Sequence, residues 1–326
     1  MQVFVTGGSG FLGRNLVRAL VARGDSVRAL ARSEAAASAV SALGAAPVRG
    51  DLFDIVALAS GLSGCEVCYH SAATVEEWGP RALFQRVNVD GTAALLAAAQ
   101  KAGVPRFVHV GTEAAFATGG PMAGLDEYTP LPEHPLPRYP ATKQVAEKLV
   151  CAANAPGFTT VICRPRLIWG HDDSSVLPKL LAAVKAGQWA WVDGGHYLTS
   201  TCHVHNVVEG LLLAAEKGRG GAAYFLSDGA PVEFRDFFTR LFATQGVVAP
   251  DKEIPRWLLK PLAALLEKFW DSLPLKGAPP LTRMAIALGT QEVTVSDALA
   301  RRELGYQSRV SIEQGLAGLS ALRRGA

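Results

Sequence analysis

Thr6-Gly7-Gly8-Ser9-Gly10-Phe11-Leu12-Gly13 decides the fold of this 326-residue chain. It follows the apolar run Gln2–Thr6 and precedes a helical pattern carried by Leu16, Leu20 and Val21. A strand, a glycine turn and a helix in that order make the first βα junction of a dinucleotide-binding sheet. The glycines permit a tight turn, close approach of backbone to a pyrophosphate, and close packing of helix on strand. The helix N-terminus then offers N–H donors and a positive dipole end to the anion. Gly7, Gly10, Phe11, Leu12 and Gly13 are the candidate contacts.

Working outward, Ser26–Ala31, Ala46–Arg49, 66–70, Arg106–Val110 and 158–163 read as further strands. Helical patterns at 81–102 and 137–154 lie between them. Strands alternating with helices imply an α/β fold with a doubly wound parallel sheet and right-handed crossovers. Residues 1–165 read as the dinucleotide-binding domain. Residues 166–326 read as a smaller, mainly helical substrate lobe, with some segments returning to the sheet. Helices are expected there at 176–186, 204–216, Phe234–Thr244 and 256–270, then a strand at Val293–Val295 and a helix at 296–304. Pro-rich 130–137 reads as a loop, as does 274–280.

The second strand ends Leu30-Ala31-Arg32-Ser33. An acid at that tip binds the ribose 2′-OH of NAD, and an arginine accommodates the 2′-phosphate of NADP. No acid stands there before Glu34, so NADP(H) is favoured, with NAD(H) as the alternative. Arg32 and Ser33 are the candidate phosphate contacts. After the third strand, Asp51 is expected near the adenine amino group and Leu52 against the ring. A turn aspartate capping the next helix is the competing reading of Asp51.

Tyr139 and Lys143 stand four apart in a helical pattern, on one face. An ammonium beside a phenol favours the phenolate and lowers its pKa from about 10. Such a tyrosine can pass a proton to or from a substrate oxygen.

Composition bounds the alternatives. Hydrophobic residues make up 49% and charged residues 19%, so a sizeable core is expected. A net charge of +3 without a basic run argues against nucleic acid as a partner. Five cysteines, with no charged leader, argue for reduced thiols in the cytoplasm. Cys65-Glu66-Val67-Cys68 reads as part of a strand, its thiols on opposite faces, and so as structural rather than redox or zinc-binding. No apolar run of about 18 residues marks a spanning helix.

Six motifs in order resemble the extended short-chain dehydrogenases/reductases. They are the glycine turn, Gly50-Asp51-Leu52, His70-Ser71-Ala72-Ala73, Asn88-Val89-Asp90-Gly91-Thr92, Tyr139-x-x-x-Lys143, and Arg164-Pro165-Arg166-Leu167-Ile168-Trp169-Gly170. Glu77-Trp78-Gly79-Pro80, the Arg164–Gly170 run and Pro279-Pro280-Leu281-Thr282-Arg283 are similar to the 3β-hydroxysteroid dehydrogenase-like branch. Within it, the chain is similar to the bacterial 2-alkyl-3-oxoalkanoate reductases. The resemblance implies a Rossmann-type sheet and hydride transfer between a nicotinamide and a carbonyl or secondary alcohol. It also implies that Ser71, Ala72 and Ala73 border the cofactor, and that Lys143 binds its ribose. The family's third catalytic residue is a Ser or Thr after the fifth strand, four residues before an aromatic. Thr112 and Phe116 fit that spacing, although Gly111 replaces a commoner first hydroxyl residue. Sugar-nucleotide dehydratases carry Thr-Asp-Glu there. Thr112-Glu113-Ala114 lacks the second acid, which disfavours elimination.

The stretch 256–270 has a wide apolar stripe, two tryptophans and flanking cations. It reads as a packed helix, a wall for a lipid-like substrate, or a surface for peripheral membrane contact. Trp189 and Trp191 are expected to line the same pocket. His203 and His205 are expected to be structural or pocket-lining, with no metal ligated. Two rivals stay open. One is a nucleotide-sugar 4-epimerase with tightly held NAD, its diphosphate met by Arg166, Lys179, Arg219 and Arg235. The other is a non-catalytic NADP-binding scaffold or sensor. The family also forms homodimers, though no residue here requires one.

Overall fold

The computed structural model describes residues 1–273 and 275–325. Pro274, where the second loop was expected to start, and Ala326 lie outside the described residues. Seven parallel strands form the main sheet. They are β1 (Gln2–Thr6), β2 (Ser26–Ala31), β3 (Ala46–Arg49), β4 (Val67–His70), β5 (Arg106–Val110), β6 (Thr159–Pro165) and β7 (Ala223–Leu226), in the order β7-β6-β5-β4-β1-β2-β3.

The strands are apolar because both faces of the sheet are covered. Val3 and Val5 point to one face and Phe4 to the other, all fully buried. Helices α1 (Phe11–Ala22) and α6 (Val204–Lys217) cover the Val3 face through Leu16, Leu20, Val207 and Leu211. Helices α2 (Ile55–Leu62) and α3 (Gly91–Lys101) cover the Phe4 face through Leu58, Leu62, Leu95 and Leu96. The chain crosses from β1 outward to β3, then returns to β4 on the other side of β1. That reversal opens a crevice at the carboxyl ends of the strands, where dinucleotides bind in such sheets.

Several features depart from the sequence reading. β7 was not expected; its four residues sit in the lobe half of the chain yet extend the sheet beside β6. The helix expected at 81–102 is three pieces: Arg81–Phe84, a π-helical stretch Gln85–Asp90, and α3. The π stretch serves Asn88, whose amide nitrogen donates to Thr74 O and Thr142 Oγ1, both at 3.1 Å. It thereby ties the loop after β4 to the helix of Tyr139. Cys65 also falls before β4 rather than within it, and both Cys65 and Cys68 are buried free thiols.

In the lobe, Trp169, Trp191, Phe234, Phe237, Phe238 and Phe242 form an aromatic cluster. A small second sheet joins Met122–Leu125 to Val293–Val295, Leu198–Thr199 and Val232–Glu233.

Candidate active site

The glycine turn is sterically exact in its demands. Gly7 has φ of 73°, and a Cβ there would lie 2.7 Å from Ala72 N. A Cβ on Gly13 would lie 2.0 Å from Gly7 O. Gly10 caps α1 with no side chain, and the first turn carries no acid. The N–H groups of Phe11, Leu12 and Gly13 therefore have no intrahelical acceptor and are free to donate to an anion. The Phe11 and Leu12 side chains are buried anchors.

The loop after β4 closes on this turn. Ser71 Oγ donates to Thr6 O at 2.8 Å, and Ala72 N points to Thr6 Oγ1 at 3.4 Å, with Ala73 half-buried beyond them. At the tip of β2, Arg32 is exposed and has no ion-pair or hydrogen-bond partner among the described residues. Ser33 caps the short helix Glu34–Ser41 by accepting from Ala36 N at 3.2 Å. Glu34 is held by Arg49 at 2.7 Å. Asp51 Oδ1 accepts from Phe53 N at 2.8 Å in an Asx turn, while Asp54 caps α2. Leu52 is buried. The candidates at 7–13, 32–33, 51–52 and 71–73 all sit at the carboxyl ends of the adjacent strands β4-β1-β2-β3. The fit to a dinucleotide is thus a glycine cradle, free helix donors and an unpaired arginine.

The proposed chemical groups lie one strand over. Helix α4 (Tyr139–Ala152) carries Tyr139, Lys143 and Glu147 at i, i+4 and i+8 on the face toward the end of β5. Pro140 favours its first turn. Arg138, just before it, has φ of 67°, a strained value for a residue with a Cβ. It is fixed by stacking 3.4 Å over Trp78, by donating from Nε to Gly79 O at 3.0 Å, and by pairing with Asp271. Thr112 follows β5. Its N–H donates to Glu147 Oε1 at 3.1 Å and its hydroxyl to Glu113 Oε2 at 3.0 Å. Glu147 Oε2 accepts from Arg164 at 2.8 Å, and Glu113 Oε1 from Arg166 at 3.1 Å, two buried pairs. The Thr112 hydroxyl lies beside the Tyr139 phenol and favours its ionised form. Thr112 and Tyr139 thus meet at the end of β5, with Lys143 one turn further along α4.

The electrostatics overturn one expectation. Burial, then the Glu113 carboxylate, pushes the Tyr139 phenol well above its ordinary pKa. Lys143 does not counter this, because its ammonium is turned to Val110 O at 2.6 Å and His109 Nε2 at 3.1 Å. Burial lowers Lys143 itself to about 8, against the pull of Glu147. The phenol therefore stays protonated at neutral pH, in the form of an acid rather than a base.

Behind Lys143 lie two buried neutral histidines. Burial lowers His70 to about 3 and His109 well below the ordinary range. Thr92 Oγ1 donates to Asn88 O, so it accepts from His70 Nε2 at 2.9 Å; His70 Nδ1 then accepts from Thr6 Oγ1 at 2.7 Å. His109, Glu147 and Arg138 escaped the sequence reading. Only Glu147 left a signal, its helical spacing from Tyr139.

The lobe places the other candidate residues. Trp191 is in the aromatic core, donating to Pro250 O at 2.7 Å, and Trp189 packs edge-on against it and Phe242. Trp189 has three aromatic neighbours and stays half-buried, while Trp191 has two and is fully buried. Arg166, Lys179, Arg219 and Arg235 are each engaged by a carboxylate, of Glu113, Glu76, Glu303 and Glu253 in turn. His203 packs edge-on against Trp169 and caps α6.

A model of the 3-beta hydroxysteroid dehydrogenase/isomerase family matches residues 4–256. The 4-hydroxy-2-methyl-3-oxo-4-farnesyl-3,4-dihydroquinoline-1-oxide ketoreductase of Stigmatella aurantiaca is 54% identical, over 98% of this chain and 96% of that one. The 2-alkyl-3-oxoalkanoate reductase of Stenotrophomonas maltophilia is 36% identical, over 98% and 99%. The structure of a DesIV double mutant (dTDP-glucose 4,6-dehydratase) from Streptomyces venezuelae, with NAD and DAU bound, aligns with a TM-score of 0.78. It covers 99% of this chain and 97% of that one at 23% identity, a likeness of fold alone.

Proposed function

The chain belongs to the 3-beta hydroxysteroid dehydrogenase/isomerase family, and we propose that it reduces a ketone on an apolar, lipid-like molecule with NADPH. It is a nicotinamide-dependent oxidoreductase acting between C=O and C–OH groups, as the ketoreductase and oxoalkanoate reductase relatives are named. The nicotinamide, when bound, supplies the hydride. Tyr139 gives the proton to the carbonyl oxygen. Thr112, whose hydroxyl turns from Glu113, is the second donor that orients that oxygen. Lys143, its ammonium held on the end of β5, is placed to bind the nicotinamide ribose. In oxidation the same groups act in reverse.

The observation that carries this reading is the Thr112 hydroxyl beside the Tyr139 phenol, with Lys143 one turn along the same helix. A free Arg32, with Glu34 neutralised by Arg49, supports NADPH over NADH. A sugar nucleotide finds little support, since the four cations available for its diphosphate are already paired. The test is a titration with NADPH and NADH, then turnover with β-keto acids, ketosteroids and aryl ketones. Tighter NADPH binding and NADPH consumption with one ketone class are expected. Protein purified with NAD tightly held, and no demand for added cofactor, would favour the epimerase. NADPH binding without turnover across the panel would favour the scaffold.

A further inference from the structure

Helix α7 (Arg256–Ser272) has two unlike faces. Leu259, Ala263 and Glu267 are buried against the lobe. On the outer side Leu258, Leu262, Leu265 and Phe269 follow i, i+4, i+7 and i+11, a single stripe. Leu265 is 65% exposed, Phe269 53% and neighbouring Trp257 72%. The apolar row continues past the helix at Leu273 and Leu275, both exposed. At about 1.5 Å per residue the helix alone makes a strip about 25 Å long.

The charges around the stripe have one sign. Glu267 is taken by Arg283 at 2.7 Å, and Asp271 by Arg138 and by Arg81 at 3.1 Å. Lys260, Lys268 and Lys276 are exposed, with no carboxylate partner among the described residues. No described helix is long and apolar enough to cross a membrane. Lys260 lies on the far side of the helix from the stripe, but Lys268 flanks it and Lys276 follows its end, and an apolar stripe beside unpaired cations fits a bilayer surface bearing anionic headgroups. A second copy fits poorly. A two-fold contact sets the same patch against itself, lysine facing lysine with no unpaired acid among the described residues of α7 to offset them.

We propose that α7 docks flat on an anionic lipid bilayer, its stripe in the headgroup–acyl boundary, with Lys268 and Lys276 at the phosphates. Asp271 links this helix to Arg138, the residue before Tyr139, so docking fixes the reaction centre near the membrane surface. The purpose of docking, drawing apolar ketone from the bilayer, rests on the ketoreductase reading; the docking itself does not.

Sedimentation with vesicles tests it, using phosphatidylcholine alone and mixed with phosphatidylglycerol. The wild-type chain should partition about tenfold more strongly onto the mixed vesicles, and high salt should erase the preference. Lys268→Glu with Lys276→Glu should abolish the preference, and Leu265→Ser with Phe269→Ser should abolish binding to both. NADPH titration of each variant, expected to match wild type, shows that the fold survives. Wild-type protein left in the supernatant, or variants that bind as well as wild type, would overturn the proposal. So would sedimentation equilibrium showing a dimer that the Leu265/Phe269 variant breaks apart. Turnover of a water-soluble ketone is measured separately, so loss of the ketoreductase reading leaves the vesicle result standing.

Discussion

Lys143 Nζ lies 3.1 Å from His109 Nε2, with the Val110 carbonyl 2.6 Å from the same nitrogen. An ammonium there donates to both, so His109 accepts at Nε2 and carries its proton on Nδ1, which is buried without a partner. Burial lowers Lys143, the Glu147 carboxylate opposes it, and the balance leaves Lys143 at about 8.

The first prediction concerns pH. As pH rises through about 8, Lys143 loses its proton and its positive charge. Since kcat/KM reports groups of the free enzyme, the profile for NADPH should fall on the alkaline side with a limb near 8. His109→Leu removes one acceptor of the charged form and should move that limb to lower pH. A profile flat across this range, or a limb unmoved in the variant, would contradict the assignment.

Acid should destabilise the fold. His70 and His109 are held neutral in the native state and are free to protonate in the unfolded chain. Their stabilising contribution is complete above an unfolded pKa of about 6.5 and is lost as pH falls toward the folded value, about 3 for His70. Each contributes roughly 1.4 kcal/mol per pH unit within that window. Urea midpoints at neutral and mildly acidic pH measure it, and His109→Leu should flatten the dependence.

Glu147 joins chemistry to stability. One carboxylate oxygen holds the Thr112 N–H and the other holds Arg164. Glu147→Gln leaves the Arg164 guanidinium buried without a counter-charge, at a cost of about 3–5 kcal/mol. Urea denaturation should show a large fall in midpoint, whereas Glu34→Gln, at an exposed pair, should barely change it.

The proposed preference for NADPH rests on Arg32. A charge-assisted contact of about 1.5–3 kcal/mol corresponds to roughly tenfold or more in affinity. Arg32→Ala should weaken NADPH by that factor and leave NADH nearly unchanged, measured by titration. Equal loss for both cofactors would remove Arg32 from the 2′-phosphate.

Much of this was legible in the sequence because the signals are local. The strands at 2–6, 26–31, 46–49 and 106–110 are apolar runs bounded by turn residues, and the glycine turn is fixed by its own sterics. β7 was missed because four residues in a helical lobe carry no period; their partner β6 defines them. The π stretch at Gln85–Asp90 depends on where Asn88 must point, which is a tertiary fact. The direction of the Tyr139 shift was misread for the same reason. Helical spacing put Lys143 on the same face as Tyr139, but β5 supplied the acceptors that turn the ammonium away.

The central claim is that Tyr139 is the proton donor in ketone reduction. Single-turnover NADPH oxidation with a ketone substrate, in wild type and Tyr139→Phe, tests it most directly. Loss of a general acid should slow the step by about 10²–10⁴-fold while NADPH affinity stays nearly unchanged. A Tyr139→Phe variant that reduces the ketone at the wild-type rate would contradict it.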